Sequence, residues 1–318
     1  MIKNAPEHPR HLLRLSKSSL IQIIIISIAL AILIPQFKQF RSSWSYVTGA
    51  DIRWLAVALA GMIATILFAT LVYMALVPHA LPLKRTLLIQ MATYFTNRLL
   101  PSGLGGIGFN ALYLVKQAKL SRTEAAVYAT ANNIVGFIAF SLCTVVSIII
   151  GSSRFSFPHI SLLPTAYIVI ALSVIVVILA VFQKRLLAKL YHFIGHLFGV
   201  ILTIIRHPRK LIVAILCSIG ITVSYVTVLW AASQSVGISI SVVDLFIAFI
   251  AGNAALTISP TPGGIGAVEA SLTAVLVGIS VSPSIALAGV LLFRLISYWL
   301  PIIPGYIAFR YASKKNYV

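Results

Sequence analysis

The chain alternates long apolar runs with short interruptions that are basic, polar or rich in Pro and Gly. A run of about 20 apolar residues is long enough to cross the hydrocarbon core of a bilayer as a helix. Some runs reach that length and others are clearly shorter. The predicted apolar segments are 19–37, 54–77, 86–100, 104–118, 121–150, 163–182, 210–232, 242–259, 264–281 and 284–310. This pattern predicts an all-α, polytopic membrane protein.

Four of these segments form two pairs of short helices. Segment 86–100 covers roughly 23 Å as a helix, against a hydrocarbon core of about 30 Å. Segment 104–118 is equally short, and the pairing recurs at 242–259 and 264–281, again across a Pro/Gly break. We interpret each pair as a re-entrant hairpin that enters and leaves on one side. The prediction is about six full spans plus two re-entrant hairpins, within a single integral membrane domain over 1–318.

The two predicted hairpins have related sequence surroundings. The tetrapeptide GGIG occurs at 105–108 and again at 263–266, each time before a short apolar helix, a turn that begins with Ser and a long span. Internal repeats of opposite membrane orientation are the architecture of many transporters. We therefore predict inverted repeats over approximately 54–150 and 210–310, joined in part by a basic interfacial linker at 183–210.

Charge sets the predicted orientation. The 318 residues are 60% apolar and 9% charged, with a formal net charge of +19. Lys and Arg accumulate in the cytoplasmic loops of membrane proteins, and the hairpin topology places most of the 24 basic residues on one side. The prediction is a multi-pass inner-membrane protein with both termini cytoplasmic. Ten full crossings would leave the termini on the same side, so segment length is what favours hairpins. Because the basic residues are scattered between spans, no nucleic-acid partner is predicted.

The glycine-rich breaks are the first candidate site. GLGGIG at 103–108 has the spacing of a dinucleotide-binding turn, but such a turn follows a strand in a soluble βαβ unit, and here an apolar helix precedes it. One interpretation is that the glycines only permit a tight bend and close helix packing. The other is that helices beginning near Gly105 and Gly106, and near Gly263 and Gly264, point their N-termini into the membrane and together bind an anion.

Polar residues inside apolar segments are the second candidate site. An ionisable side chain at membrane depth normally faces a partner or water. Arg294 and Glu269 are predicted partners, either as a structural ion pair or with Arg294 on a substrate phosphate. In the second case Glu269 is a gating partner, a proton carrier or a contact for a cationic headgroup. Arg98 is predicted to contact phosphate, with snorkelling or helix capping as its alternatives. Asn133 either lines the pathway or forms a hydrogen bond between helices.

Catalytic patterns are scarce in this sequence. There are only five acidic residues, no P-loop, and no specific Ser/His/Asp arrangement. The prediction is a protein that is not an enzyme and has no cofactor or metal site.

The C-terminal third resembles a known family. A Pro-Gly-Gly-x-Gly-x-x-Glu pattern begins at Pro262, and an Arg-x-x-x-Tyr-Trp pattern begins at Arg294. Both are similar to the closing signature of the lysylphosphatidylglycerol synthase transmembrane (flippase-like) family, which includes the membrane domain of multiple peptide resistance factors. The resemblance implies a lipid-translocating membrane domain.

Two features depart from that family. Its first repeat usually carries a Glu and an Arg shortly after the glycines, where this chain has residues such as Phe109 and Asn110. The chain also ends at Val318, with no room for the soluble aminoacyl-transferring domain of the fused resistance factors. The family name is therefore not expected to describe an activity of this chain.

These observations predict a flippase that moves an anionic phospholipid or lipid-linked headgroup across the inner membrane. The predicted substrate-binding residues are Arg98, Gly105, Gly106, Asn133, Gly263, Gly264, Glu269 and Arg294. Arg294→Ala is expected to abolish translocation and leave the protein folded in detergent. The alternatives are a transporter of a small soluble anion and a non-transporting subunit that recruits a lipid-modifying or glycosyl-transferring enzyme. A lipid-modifying enzyme is the least supported, because catalytic groups are missing.

Overall fold

The computed structural model of the chain describes residues 43–99, 104–151, 195, 197–199, 206–259 and 261–318. Within these ranges the chain is helical, with no β-strand. The predicted spans at 19–37 and 163–182, and most of the predicted linker at 183–210, lie outside the described residues. The principal helices in chain order are α1 (Ile52–Leu76), α2 (Leu83–Leu99), α3 (Leu104–Gln117), α4 (Arg122–Gly151), α5 (Pro208–Ser235), α6 (Val242–Ile258), α7 (Ala267–Gly278), α8 (Pro283–Arg294) and α9 (Ile302–Lys314).

The long apolar helices match the predicted full spans of the described regions. Four helices there are long and apolar enough to cross a membrane: α1, α4, α5, and the continuous helical segment from Pro283 to Lys314 that joins α8 to α9 through a π turn at Leu295–Trp299. Their outward faces carry large apolar side chains; Phe137 of α4 is 71% exposed and Leu216 of α5 is 59% exposed. Such faces suit a lipid environment, and the prediction of a multi-pass helical membrane protein is confirmed.

Polar side chains fix where several helices begin. At the start of α4 the Ser121 N–H donates to Glu124 Oε2 (2.9 Å), and the Glu124 N–H donates to Ser121 Oγ (3.2 Å). At the start of α6 the Asp244 N–H donates to Ser241 Oγ over 3.2 Å. These bonds satisfy N–H groups that have no partner inside the helix.

The short helices pack in two pairs, called hairpin one and hairpin two. In hairpin one, helices α2 and α3 pack together, and Arg85 Nη1 at the start of α2 donates to Gln117 Oε1 at the end of α3 over 2.8 Å. In hairpin two, α6 and α7 pack together, and Leu272 of α7 closes on Gly252 of α6. In hairpin one the Arg85–Gln117 hydrogen bond places the two outer ends side by side.

The two hairpins approach the Pro283–Lys314 segment from opposite ends. Hairpin two leads through a four-residue link (279–282) into the start of α8. Hairpin one lies along α9, where Gly305 permits an approach so close that a Cβ would be 2.9 Å from the Met91 carbonyl oxygen. At the far end of α9, Lys116 Nζ donates to the Val318 carbonyl oxygen over 2.8 Å. The breaks between α2 and α3 and between α6 and α7 consequently meet near the middle of this segment.

Candidate functional site

Direct contacts join both glycine-rich breaks to the π turn. Arg98, at the end of α2, donates from Nε to the Tyr298 carbonyl oxygen (3.0 Å) and from Nη2 to the Ser297 carbonyl oxygen (2.9 Å). From the other break, Gly263 lies against the Tyr298 ring, so that a Cβ there would be 2.0 Å from Cε2. The hairpins and the π turn thus form a single site deep in the helical assembly.

Left-handed backbone conformations shape the second break. Gly263, Gly264 and Gly266 have φ values of +63°, +65° and +87°. These conformations are unfavourable for residues that carry a Cβ. They turn the chain from the end of α6 into α7, and the missing side chain of Gly263 leaves room for Tyr298.

We expect Gly263→Ala to lower the free energy of unfolding by at least about 2 kcal/mol, because it combines left-handed strain with displacement of the Tyr298 ring. Gly237→Ala is the matched control, since Gly237 has a φ of +82° with no heavy atom within 4 Å of its Cβ position. It is expected to cost about 1 kcal/mol. Thermal unfolding in detergent compares the two variants. Equal losses in the free energy of unfolding would show that the Tyr298 ring can move aside without destabilising the protein.

Glu269 and Arg294 form the ion pair that the sequence predicts. Arg294 Nε donates to Glu269 Oε1 over 2.7 Å, and its Nη2 donates to the Gly263 carbonyl oxygen over 2.8 Å. The other carboxylate oxygen, Glu269 Oε2, accepts the Gly266 N–H over 2.8 Å. Glu269 and Arg294 are 8% and 6% exposed. The N-terminus of α7 therefore already carries an anion, the carboxylate of Glu269.

A side-chain amide occupies the corresponding position in the first break. Asn97 Oδ1 accepts the Gly106 N–H over 2.7 Å at the start of α3. A Cβ on Gly105 would lie 2.0 Å from the Thr96 carbonyl oxygen, so the two helices touch through backbone atoms. The glycines of the first break serve close packing, and Asn97 takes up one of the N–H groups that were predicted to bind an anion.

Arg98 is a cation held by carbonyl oxygens. Besides Ser297 and Tyr298, its partners include the Tyr94 carbonyl oxygen, to which Nη1 donates. Pro301 explains the Ser297 contact: proline has no N–H, so it cannot donate to the carbonyl four residues earlier. Among the described residues, no carboxylate lies within 4 Å of Arg98. Its charge is therefore not neutralised by an ion pair there.

The Tyr298 ring lies against both cations. The guanidinium carbon of Arg98 is 4.7 Å from the ring centroid, and that of Arg294 is 4.3 Å from it. The electron-rich face of an aromatic ring attracts a cation at such distances. Tyr298 thus holds two arginines close together that would otherwise repel each other.

A cavity of about 430 Å³ opens beside these arginines. Its walls come from both hairpins, from α5 and from the α8–π segment, and they combine aromatic rings, amides, hydroxyls and two guanidiniums. The lining residues are Tyr94, Asn97, Arg98, Tyr225, Phe249, Gly252, Asn253, Leu256, Thr257, Thr261, Gly263, Val268, Leu272, Phe293, Arg294, Ser297 and Tyr298.

The predicted site residues fall into three groups. Arg98, Gly263 and Arg294 line the cavity. Glu269 contacts Arg294 without being among the lining residues, and Gly105, Gly106 and Gly264 shape the breaks. Asn133 is elsewhere: it lies on an exposed face of α4 and donates to the Ala129 carbonyl oxygen of its own helix over 3.0 Å.

Sequence reasoning overlooked several polar lining residues, of which Tyr94, Asn97, Tyr225 and Asn253 are the clearest. A signal for the first two was present. Polar positions 90, 93, 94, 97 and 98 of α2 recur at helical spacing and define one face of the second half of this helix. Tyr225 lies in α5 among other hydroxyl side chains (Thr222, Ser224 and Thr227), and Asn253 follows an apolar stretch of α6, so neither position stands out in the sequence.

Asn110 belongs to a network of uncharged hydrogen-bonding side chains, at a position where the family resemblance predicts charged residues. Asn110 is 2% exposed; its Nδ2 donates to the Gly106 carbonyl oxygen (2.9 Å) and to Thr93 Oγ1 (3.1 Å). Its Oδ1 accepts from Gln90 Nε2 over 2.8 Å. Amides therefore hold hairpin one together, whereas the Glu269–Arg294 ion pair connects α7 of hairpin two to α8.

Comparison with known proteins gives one family assignment. A family model described as the lysylphosphatidylglycerol synthase TM region matches residues 19–305, which is most of the chain. No curated protein matches the chain.

Proposed function

This chain belongs to the lysylphosphatidylglycerol synthase transmembrane-region family, and we propose that it moves an anionic phospholipid or lipid-linked headgroup between the leaflets of its membrane. In this proposal the headgroup passes through the cavity while the acyl chains stay in the bilayer. The protein acts as a translocator and not as an enzyme.

The observation that carries this proposal is the charge of the cavity wall. Arg98 and Arg294 both line the cavity, and Glu269 is the one carboxylate paired with them among the described residues. A guanidinium has five N–H groups, and Arg98 uses three of them on carbonyl oxygens. Those that remain suit a phosphate group, which guanidinium binds well.

In this proposal the arginines bind the anion, whereas the sequence alone suggested that the helix N-termini bind it. The Gly106 N–H is bonded to Asn97, and the Gly266 N–H is bonded to Glu269. The phosphate is accordingly proposed to contact guanidinium groups, with the two breaks positioning them.

The opposed hairpins supply a route for alternating access. We propose that they are re-entrant, that they belong to inverted repeats over about 54–150 and 210–310, and that segments 19–37 and 163–182 complete six spans. Lys116 and Arg85 lie with the C-terminal turn at the outer end of hairpin one. Their charge supports a cytoplasmic position for that end, in an inner membrane.

A leaflet-exchange assay tests the proposal. Purified protein is reconstituted into liposomes with a labelled anionic phospholipid, and a membrane-impermeant quencher reports which leaflet holds the label. Exchange is expected, and Arg98→Gln is expected to slow it by about 10- to 100-fold, the effect of losing one charged hydrogen-bond donor. Arg209→Gln is the matched control, because it removes the same charge from an exposed position outside the cavity.

Other outcomes would replace the proposal. Folded wild-type protein that exchanges no anionic lipid or polyprenyl phosphate contradicts it. Uptake of a soluble anion under the same conditions would indicate a small-anion transporter. Absence of both activities, together with co-purification of a lipid-modifying or glycosyl-transferring enzyme, would indicate a recruiting subunit.

A further inference from the structure

We propose that the cavity selects a phosphodiester whose headgroup bears hydroxyl groups and no amine, such as glycerol or a sugar. This inference rests on the proposed function, because it specifies what the same cavity accepts. The charges and hydrogen-bond acceptors of the described residues support this selectivity.

Counted over the described residues, the site has one uncompensated positive charge. Arg98 and Arg294 contribute two, and the carboxylate of Glu269 neutralises one. A phosphodiester has a single negative charge, so its binding makes the site neutral. A headgroup that also carries an ammonium would restore a positive charge next to two guanidiniums, which is unfavourable in a poorly hydrated cavity.

Glu269 is not available to offset such an ammonium. One carboxylate oxygen binds Arg294 and the other accepts the Gly266 N–H. The residue is buried, and it does not line the cavity. An amine would have to break the ion pair with Arg294 to reach it, which would leave a second guanidinium uncompensated.

A chain of hydroxyl groups on another wall presents an acceptor. The Thr65 hydroxyl donates to the Met62 carbonyl oxygen (2.7 Å) and lies 2.9 Å from the Tyr94 hydroxyl. With the Thr65 proton used in this way, Tyr94 donates to Thr65, and Tyr225 donates to Tyr94 over 3.5 Å. Each hydroxyl has one proton, so the Tyr225 oxygen is left to accept a hydrogen bond from a ligand O–H.

Asn253 adds a second acceptor to the cavity. Its Nδ2 donates to the Phe249 carbonyl oxygen over 2.9 Å, and its Oδ1 has no hydrogen-bond partner among the described residues. The Tyr225 and Asn253 acceptors can bind the hydroxyls of a polyol or sugar, while the two guanidiniums disfavour an ammonium in the same cavity. The arginines bind the phosphate and these two residues bind the hydroxyl-bearing group.

The test compares two lipids with identical acyl chains, phosphatidylglycerol and phosphatidylethanolamine, in the leaflet-exchange assay with the full chain. Phosphatidylglycerol is expected to exchange at least tenfold faster. In parallel, soluble glycerophosphoglycerol and glycerophosphoethanolamine are added to the protein in detergent, and the shift in melting temperature is recorded. Glycerophosphoglycerol is expected to give the larger shift, which separates recognition of the headgroup from recognition of a lipid.

Tyr225→Phe tests whether the Tyr225 hydroxyl is responsible for the selectivity between the two headgroups. It should slow phosphatidylglycerol exchange by about two- to tenfold, the effect of losing one neutral hydrogen bond, and leave phosphatidylethanolamine exchange unchanged. Tyr311→Phe on α9 is the matched control, because Tyr311 is 48% exposed and outside the cavity. A variant that slows both lipids equally would indicate a structural role and contradict the assignment of Tyr225.

The outcomes separate this inference from the function on which it rests. Equal exchange of the two lipids overturns the inference and leaves translocation standing. Faster exchange of phosphatidylethanolamine overturns both the inference and the proposed preference for an anionic lipid. No exchange of either lipid or of a polyprenyl phosphate, with a selective shift from glycerophosphoglycerol, overturns translocation and supports the selectivity of the cavity. No exchange and no selective shift overturns both.

Discussion

Arg294→Ala is expected to lower the free energy of unfolding by about 3–5 kcal/mol, because it leaves the buried carboxylate of Glu269 without its cation. The Gly266 N–H would remain as a partner, but it carries no full charge. Chemical or thermal unfolding in detergent measures the loss. A variant as stable as the wild type would show that the Glu269–Arg294 ion pair contributes nothing to folding.

The paired variant Glu269→Gln/Arg294→Gln is the control. It removes both charges and keeps polar side chains of similar length, so most of the stability should return, to within about 1–2 kcal/mol of the wild type. A single alanine variant that loses translocation would not assign Arg294 to the substrate, because unfolding also abolishes transport. Slow exchange in the stable double variant would make that assignment. The burial of the ion pair thus argues against the expectation from the sequence that Arg294→Ala leaves the protein folded.

Gly105→Ala is expected to lower the free energy of unfolding by at least about 3 kcal/mol and to separate the helices of hairpin one. The added Cβ would lie 2.0 Å from the Thr96 carbonyl oxygen, a backbone atom that cannot rotate away. Because Arg98 follows Thr96 closely in the same helix, the displacement should also weaken its contacts with the π turn. Melting temperature and lipid exchange are both expected to fall.

Gly108→Ala, in the same helix, is the matched control. Nothing lies within 4 Å of its Cβ position, and the residue is exposed. Alanine is the better helix former by about 1 kcal/mol, so this variant should be as stable as the wild type or slightly more stable. If Gly105→Ala behaved like Gly108→Ala, the close contact between α2 and α3 would not be required for folding.

The helices could be predicted from the sequence because length and apolar content are local properties. The run at 121–150 predicts α4, and the short segments at 242–259 and 264–281 predict hairpin two with its Pro/Gly break. The boundaries shift by a few residues where a cap or a proline decides the first turn. The left-handed conformations at Gly263 and Gly264 are not predictable residue by residue, since they depend on tertiary neighbours: the Tyr298 ring beside Gly263, and Val268 and Leu256 beside Gly264.

The candidate site was predictable only in part. The Glu269–Arg294 ion pair follows from the cost of leaving an ionisable group unpaired inside a membrane, so two such residues in neighbouring segments indicate each other. Two of the carbonyl partners of Arg98, those of Ser297 and Tyr298, come from a segment about 200 residues later in the chain. No local sequence pattern predicts these contacts. For Asn133 the sequence predicts a position within a span. It does not predict on which face of the helix the residue lies, because that depends on tertiary packing.

The π turn also changes the direction in which the side chains that follow it point around the helix axis. Gly305 follows Arg294 by 11 residues, and an uninterrupted α-helix, advancing about 100° per residue, would place the two side-chain directions only about 20° apart. The π turn absorbs one additional residue and so offsets the following helix by roughly 100°. Arg294 can thus face the cavity while Gly305 faces α2. The number of residues in this turn therefore sets the angle between the directions of Arg294 and Gly305 around the helix axis. Inserting or deleting one residue there would turn one of them away from its partner without changing any side chain that makes a contact.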